Sequence, residues 1–250
     1  VVSRWPSVEV APEAILFVDD DLVAVDKASG VLCDASRDPD REHLGTALTR
    51  WADTDGSEFL PVHRLDLGTS GVVLFARNPP TATALMRQFQ ERLVSKHYQA
   101  IVTGSGMRAW SPGFTFDRQS YLRHHKGRSE EVRSGGKSAQ TSFEVRAVDG
   151  PLALVRATPS TGRTHQLRVH LAAVGAPILG DDRYGTQEHP EARRLWLHAD
   201  TLTFTHPSTD ERLTISSRHR LGVRHGAPTI DVGPEKPDGA WPESGRPEVR

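Results

Sequence analysis

Asp66 stands in the string VHRLDLGTSGVVLFARN (Val62 to Asn78), between a basic pair, His63 and Arg64, and a turn made of Gly68, Thr69, Ser70 and Gly71. A carboxylate kept ionised by a neighbouring cation can serve as a nucleophile or a base, and the glycines let a ligand or another backbone come close. The plainer reading is an aspartate that satisfies the amides of its own turn. A paired-carboxylate hydrolase is a second chemistry, with Asp181 or Asp182 as the partner of Asp66, but neither acid has a distinctive setting. His63, His165 and His170 invite a metal. The last two are five residues apart, on different faces of a helix, whereas a helical zinc pair sits one turn apart, which argues against a metal site.

The elements around these residues follow an α+β pattern, not a regular β-α-β alternation. The apolar run Val72 to Ala76 reads as a buried strand anchoring the Asp66 loop. Ile15 to Val18 and Leu22 to Val25 form a hairpin around three aspartates. Further strands are expected over Tyr98 to Val102, Thr141 to Val148, Leu152 to Ala157, Leu195 to Phe204 and Arg212 to Ile215, with Asp149-Gly150 as a hairpin turn. Helices are expected over His43 to Trp51 and over Thr81 to Val94, the latter with Leu85, Met86, Phe89 and Leu93 inward. A third helix is expected from a Thr164 cap to Val174, with Gly175 as its stop.

Composition narrows the function classes. At 250 residues the chain can bury a sizeable core. No apolar run approaches the ~18 residues of a membrane span, and no basic stretch followed by an apolar core marks a signal peptide. The single cysteine, Cys33, rules out an intramolecular disulfide and reads as packing in a reducing, cytoplasmic protein. The net charge of −1 alone argues against nucleic acid, but the charges are unevenly spread. Residues 1–60 carry five Lys/Arg against thirteen Asp/Glu, while residues 86–137 carry ten against four. Such a basic middle can track a phosphate backbone. His124-His125 and Gly135-Gly136 suggest that it is a mobile loop. Residues 1–12 read as an extension, 13–220 as the working domain, and 221–250 as a flexible Pro/Gly-rich tail.

The Asp66 string matches the H-R-L-D-x-x-T-S-G pattern of the RluA-type RNA pseudouridine synthases, and the resemblance runs from about Ile15 to Ser216. Ile15 to Cys33 is similar to the family's opening hairpin, with Lys27-Ala28-Ser29-Gly30 in place of K-P-x-G. SKHYQAIVTG (Ser95 to Gly104) resembles K-x-Y-x-A, Pro159 to Gly185 resembles T-G-R-T-H-Q-L-R-x-H followed by G-D-x-x-Y-G, and Leu197-His198-Ala199 matches L-H-A. Leu67-Gly68 replaces the charged residues usually found after the aspartate.

The resemblance implies a pseudouridine synthase-like domain of mixed, mainly antiparallel sheets with flanking helices and a central cleft. It implies isomerisation of specific uridines in structured ribosomal RNA or tRNA stem-loops by a monomer without a cofactor, the catalytic domain meeting its RNA without an S4-type module. Asp66 would be the catalytic carboxylate, and the sequence leaves open whether it attacks the base, attacks the sugar or removes a proton. Arg163 would pair with Asp66, and Tyr98 would stack on the uracil and handle the C5 proton. His63, Arg64, Thr69, Lys96, His165, Gln166 and Leu197 would bind the substrate. An RNA-binding module that has lost catalysis is the remaining alternative; the joint presence of Asp66, Tyr98 and Arg163 argues against it.

Overall fold

The structure, a computed structural model, describes residues 5–36, 38, 40–52, 59–185 and 192–232. Strands β1 (Ile15–Val18) and β2 (Leu22–Lys27) open the chain, followed by helix α1 (Leu44–Trp51) and the short β3 (Leu60–Pro61). Next come β4 (Ser70–Ala76), helix α2 (Pro79–Gln90) and β5 (Ser95–Thr103). A meander of β6 (Thr115–His125), β7 (Arg128–Glu131), β8 (Lys137–Asp149) and β9 (Leu152–Pro159) leads to helix α3 (Gln166–Ala173). Strands β10 (Leu197–Thr205), β11 (Arg212–Ser216), β12 (His219–Arg224) and β13 (Ala227–Val232) complete it.

Eleven strands form one continuous sheet in the order β1-β2-β4-β10-β5-β9-β8-β6-β7, with β3 beside β4 and β11 beside β10. The mixed, mainly antiparallel arrangement expected is realised as one large sheet, because β4 and β10 are hydrogen-bonded at its centre. Their pairing is parallel, His198 against Ser70 and Ala199 against Gly71, and the other strand pairs described are antiparallel. Gly71 makes the junction possible. Its φ is +110°, and a Cβ there would lie 2.1 Å from the Ala199 carbonyl oxygen.

Strand β4 is buried at every position, as its unbroken apolar run requires of a central strand. Helix α2 covers one face of it through Ala82 and Leu85. This helix begins earlier than expected because Pro79 and Pro80 fit its first turn, where no amide hydrogen is needed, and Asn78 caps it by accepting from Thr81 N at 2.9 Å. It ends at Gln90, so Leu93 lies beyond it at 56% exposure and Met86 faces solvent at 39%. Helix α3 packs Leu167 and Leu171 into the core between β5, β8 and β9.

Two expectations about order are corrected. The basic middle is not a loop but the β6–β7 hairpin and its pairing with β8, turning at Lys126 and Gly127, both at positive φ. Cross-strand pairs Arg118–Glu131 and Arg123–Glu130 use up part of its positive charge. The tail expected from 221 begins instead as an ordered hairpin of β12 and β13. Leu221 is buried beside Ile101 and Leu152, and its N–H donates to Gln99 Oε1 at 2.7 Å. Residues 233–250 lie outside the described residues, as do 1–4 of the expected extension, whose Val8 and Val10 pack against the core. Among the described residues, no helix is long and apolar enough to cross a membrane.

Candidate active site

The loop between β3 and β4 carries Asp66, and the turn after β2 holds that loop in place. Gly30 N donates to the Leu67 carbonyl at 2.8 Å, and Ser29 Oγ to that of Gly68 at 2.7 Å. Lys27, only 2% exposed, spends its ammonium on the carbonyls of Ala28, Val31 and Leu67 at 2.9, 2.8 and 3.3 Å. Burial pulls its amine down to about 8. Cys33 packs beneath the loop, its sulfur accepting from Leu65 N at 3.3 Å. The Lys-x-x-Gly turn is thus a clamp on the Asp66 loop, and an alanine in place of proline leaves that clamp intact.

Asp66 projects from the clamped loop into a cleft of about 710 Å³, where it is the only carboxylate among the lining residues. Its side chain keeps 27% of its surface exposed. The arginine nearest to it is Arg168, not Arg163: Arg168 Nη1 lies 3.8 Å from Asp66 Oδ2. That is an ion-pair distance, longer than a direct hydrogen bond. The Arg163 guanidinium instead donates through Nε to the Ser138 carbonyl at 3.0 Å.

Arg168 is 5% exposed and locked on its far side. Nε and Nη2 form a fork on Asp181 at 2.7 and 2.6 Å, and Nη2 also reaches Asp182 at 3.0 Å. Tyr184 lies under the guanidinium at 5.2 Å. The Gly180 to Gly185 motif therefore aims Arg168 so that its remaining nitrogen faces Asp66. The same fork commits Asp181 away from the cleft, which removes the paired-carboxylate reading.

The other expected residues fall into two groups. Tyr98, Leu197, Thr69, Lys96, Arg64 and His165 line the cleft with Asp66. The Tyr98 phenol is pushed above its ordinary range by burial and by the Asp66 charge, so it stays protonated. His165 Nε2 is 3.8 Å from Asp66 Oδ2, and its Nδ1 is 2.9 Å from the Tyr184 hydroxyl. His63 and Gln166 line the cleft too but are spent on the scaffold. Gln166 gives Nε2 to Gln140 O and Thr141 Oγ1 and takes Thr161 Oγ1 and Arg163 N on Oε1, which ties the Thr161-Gly162-Arg163 turn to β8.

His63 does not form a cationic pair with Arg64. Its Nε2 accepts from Leu74 N at 3.0 Å, which requires a neutral ring, and it stacks on Phe89 at 4.6 Å. Burial, with the Lys96 charge adding, lowers it to about 3. His170 is not a ligand either: fully buried, it lies between the hydroxyls of Ser120 and Thr141 at 3.0 and 3.1 Å.

These rings set an acid limit on stability. Burial holds His170 and His198 down at about 4, against an ordinary 6.5. Between those values the unfolded chain binds protons that the folded one refuses, so stability falls as pH drops from 6.5 toward 4. The fully buried His170 alone accounts for about 3 kcal/mol across that window. Urea unfolding at pH 7 and pH 5 is expected to show the loss, with a shallower slope in His170→Gln. An unchanged midpoint between the two pH values would contradict this.

A family model described as RNA pseudouridylate synthase matches residues 21–173. A dual-specificity RNA pseudouridine synthase RluA of Haemophilus influenzae is 39% identical over 209 residues, covering 82% of this chain and 92% of that protein. A ribosomal large subunit pseudouridine synthase C of Vibrio cholerae is 34% identical over 208 residues, 80% of this chain and 64% of that one. Among solved structures, human RNA pseudouridylate synthase domain containing 1 superposes with a TM-score of 0.66 at 27% identity, covering 84% of this chain and 86% of that one.

Proposed function

The chain belongs to the RluA-type family of RNA pseudouridine synthases, and from that membership we propose that Asp66 is the carboxylate with which it isomerises uridines in structured ribosomal RNA or tRNA. The protein is an RNA pseudouridine synthase, an isomerase. The observation that carries the rest of the reading is the solitary Asp66, with Arg168 and a protonated Tyr98 around it in one cleft.

Isomerisation breaks the N1–C1′ bond, turns the uracil and rejoins it through C5, which then loses its proton while N1 regains one. Asp66 supplies the carboxylate that this exchange uses. The wall of Tyr98 and Leu197 supports retention of the detached base, an apolar surface that also keeps water from intercepting it. The overall change is redox-neutral. The dual-specificity RluA relative is matched over 92% of its length, which favours more than one RNA target. Mapping pseudouridines in RNA from cells with and without the gene identifies them. With C5-tritiated uridine RNA, tritium release and pseudouridine indicate the synthase, free uracil indicates a hydrolase, and an unchanged substrate indicates a binder. Either of the last two would overturn the proposal.

Arg64 is exposed beside Asp66 and has no ion-pair partner among the described residues. That favours a wedge filling the gap left by an extruded nucleotide over a loop brace. Extrusion costs a few kcal/mol in a stacked stem and little in an unstructured strand. Arg64→Ala is therefore expected to slow a stem-loop by about tenfold or more relative to an unstructured RNA of the same sequence. Equal losses on both substrates, or a lowered melting temperature, would return Arg64 to a structural role.

A further inference from the structure

The cleft wall opposite the Asp66 loop gathers three cations that the reaction itself does not use. Lys96 leaves β5 with its Nζ 3.4 Å from the Thr161 carbonyl and 3.6 Å from where a Cβ of Gly162 would stand. Arg163 follows on the same turn, held through its backbone by Gln166 and through Nε by Ser138. Arg92 enters from the end of α2. Among the described residues none of the three has a carboxylate partner, whereas Arg118 and Arg123 on the nearby hairpin do. Clustering like charges without counterions is unfavourable, and the cost is visible in Lys96: burial first, then Arg163 and Arg92, push its amine below the ordinary range.

Arg92 carries a second cost. It is the residue after the α2 C-cap, with φ at +61°, while Leu93 N closes the cap onto the Gln88 carbonyl at 2.9 Å. Glycine is the usual occupant of such a position, and an arginine there is strained. Nothing in the packing of the helix needs that side chain. What the strained backbone delivers is an exposed guanidinium on the rim of the cleft.

We propose that Lys96, Arg163 and Arg92 form a subsite for one backbone phosphate next to the target uridine, which registers the RNA so that its ribose meets Asp66. The subsite rests on the reading of the cleft as an RNA uridine isomerase. Gly162 leaves the space beside Lys96 Nζ that a phosphate oxygen would take, and the forked guanidiniums suit a tetrahedral anion. Its occupation relieves the repulsion that the empty cluster carries.

The test uses an RNA that the wild-type enzyme isomerises, made as a series in which one linkage at a time is a neutral methylphosphonate. A 2′-O-methyl ribose protects each altered linkage, and the same ribose with an ordinary phosphate is the control. For wild type, one linkage flanking the target is expected to lower kcat/KM by about tenfold or more, as loss of a charged hydrogen-bonded contact does. In Lys96→Met the unmodified RNA is already slow, and neutralising that same linkage costs nothing further, while other linkages keep their wild-type effects. Arg92→Gly is expected to raise the melting temperature by about 2 °C through loss of strain, yet to raise KM and to shrink the penalty at the same linkage. A variant of mere structural importance would lose stability and show no linkage preference. Independent, multiplying losses for the substitution and the linkage would overturn the subsite. So would the absence of any sensitive linkage flanking the target. If Lys96→Met does not fold, Arg92→Gly decides by the same two criteria. Failure of the wild-type enzyme to isomerise any RNA would instead sink the functional reading, and the subsite with it.

Discussion

Asp66→Asn is expected to fold, to bind RNA as the wild type does and to form pseudouridine at least about a thousandfold more slowly. The fold is spared because the loop is held by its backbone and its neighbours, not by this side chain. Gly30, Ser29 and Lys27 grip the carbonyls of Leu67 and Gly68, and Cys33 takes the Leu65 amide. Arg168 keeps its fork on Asp181 and its bond to Asp182 when the Asp66 charge is gone. The amide fills the same volume but offers neither a negative charge nor a proton-accepting oxygen pair at the ribose. Single-turnover tritium release, gel-shift affinity and melting temperature, measured on one preparation, separate these effects. Turnover near wild type would remove Asp66 from the chemistry, and a large drop in affinity would make it a binding residue instead.

The elements that sequence conveys well are those whose burial is decided locally. Val72 to Ala76 reads as a buried strand because five consecutive apolar residues leave no polar face, and Asp149-Gly150 marks the β8–β9 turn because Gly150 takes a positive φ of 58°. The β6–β7 hairpin was hidden for the opposite reason. One face of β6 is exposed and the other only half-buried, by Phe116, Arg118 and Ser120 ahead of the buried Leu122, so its inward face is largely polar and no apolar alternation marks it. The choice between Arg163 and Arg168 turned on a still finer matter, where α3 begins. Thr164 is a natural cap by type, yet its carbonyl accepts from Ser129 Oγ and the helix starts at Gln166 after a left-handed His165. With that later start Arg163 stays on the cleft wall with its Nε tied to the Ser138 carbonyl, and Arg168 is the arginine that reaches Asp66. The one available signal was the Gly180 to Gly185 motif, whose Asp181 demands a cation, but only the folded chain shows which cation reaches it.

That correction carries the second large effect. Arg168→Met removes the cation from Asp181, whose side chain is fully buried, and leaves it with the amides of Arg183 and Tyr184 at 2.9 and 3.0 Å. Breaking a buried pair from one side costs about 3–5 kcal/mol, so this variant is expected to be strongly destabilised as well as inactive. Arg168→Lys isolates the positioning role. An ammonium keeps the charge beside Asp181 but cannot hold that carboxylate by a fork and still present a nitrogen to Asp66. It is expected to fold with a modest loss of melting temperature and to lose about a hundredfold in kcat with KM little changed, because the aim of Asp66 matters in the transition state and not in RNA binding. Arg163→Met is expected to behave in the reverse way, raising KM while kcat stays within a few fold, since its guanidinium faces the RNA side of the cleft and not Asp66. Measuring both constants for both variants decides between the two arginines. A collapse of kcat in Arg163→Met together with a normal kcat in Arg168→Lys would restore Arg163 as the partner of Asp66 and make the Asp181–Arg168 fork a purely structural brace.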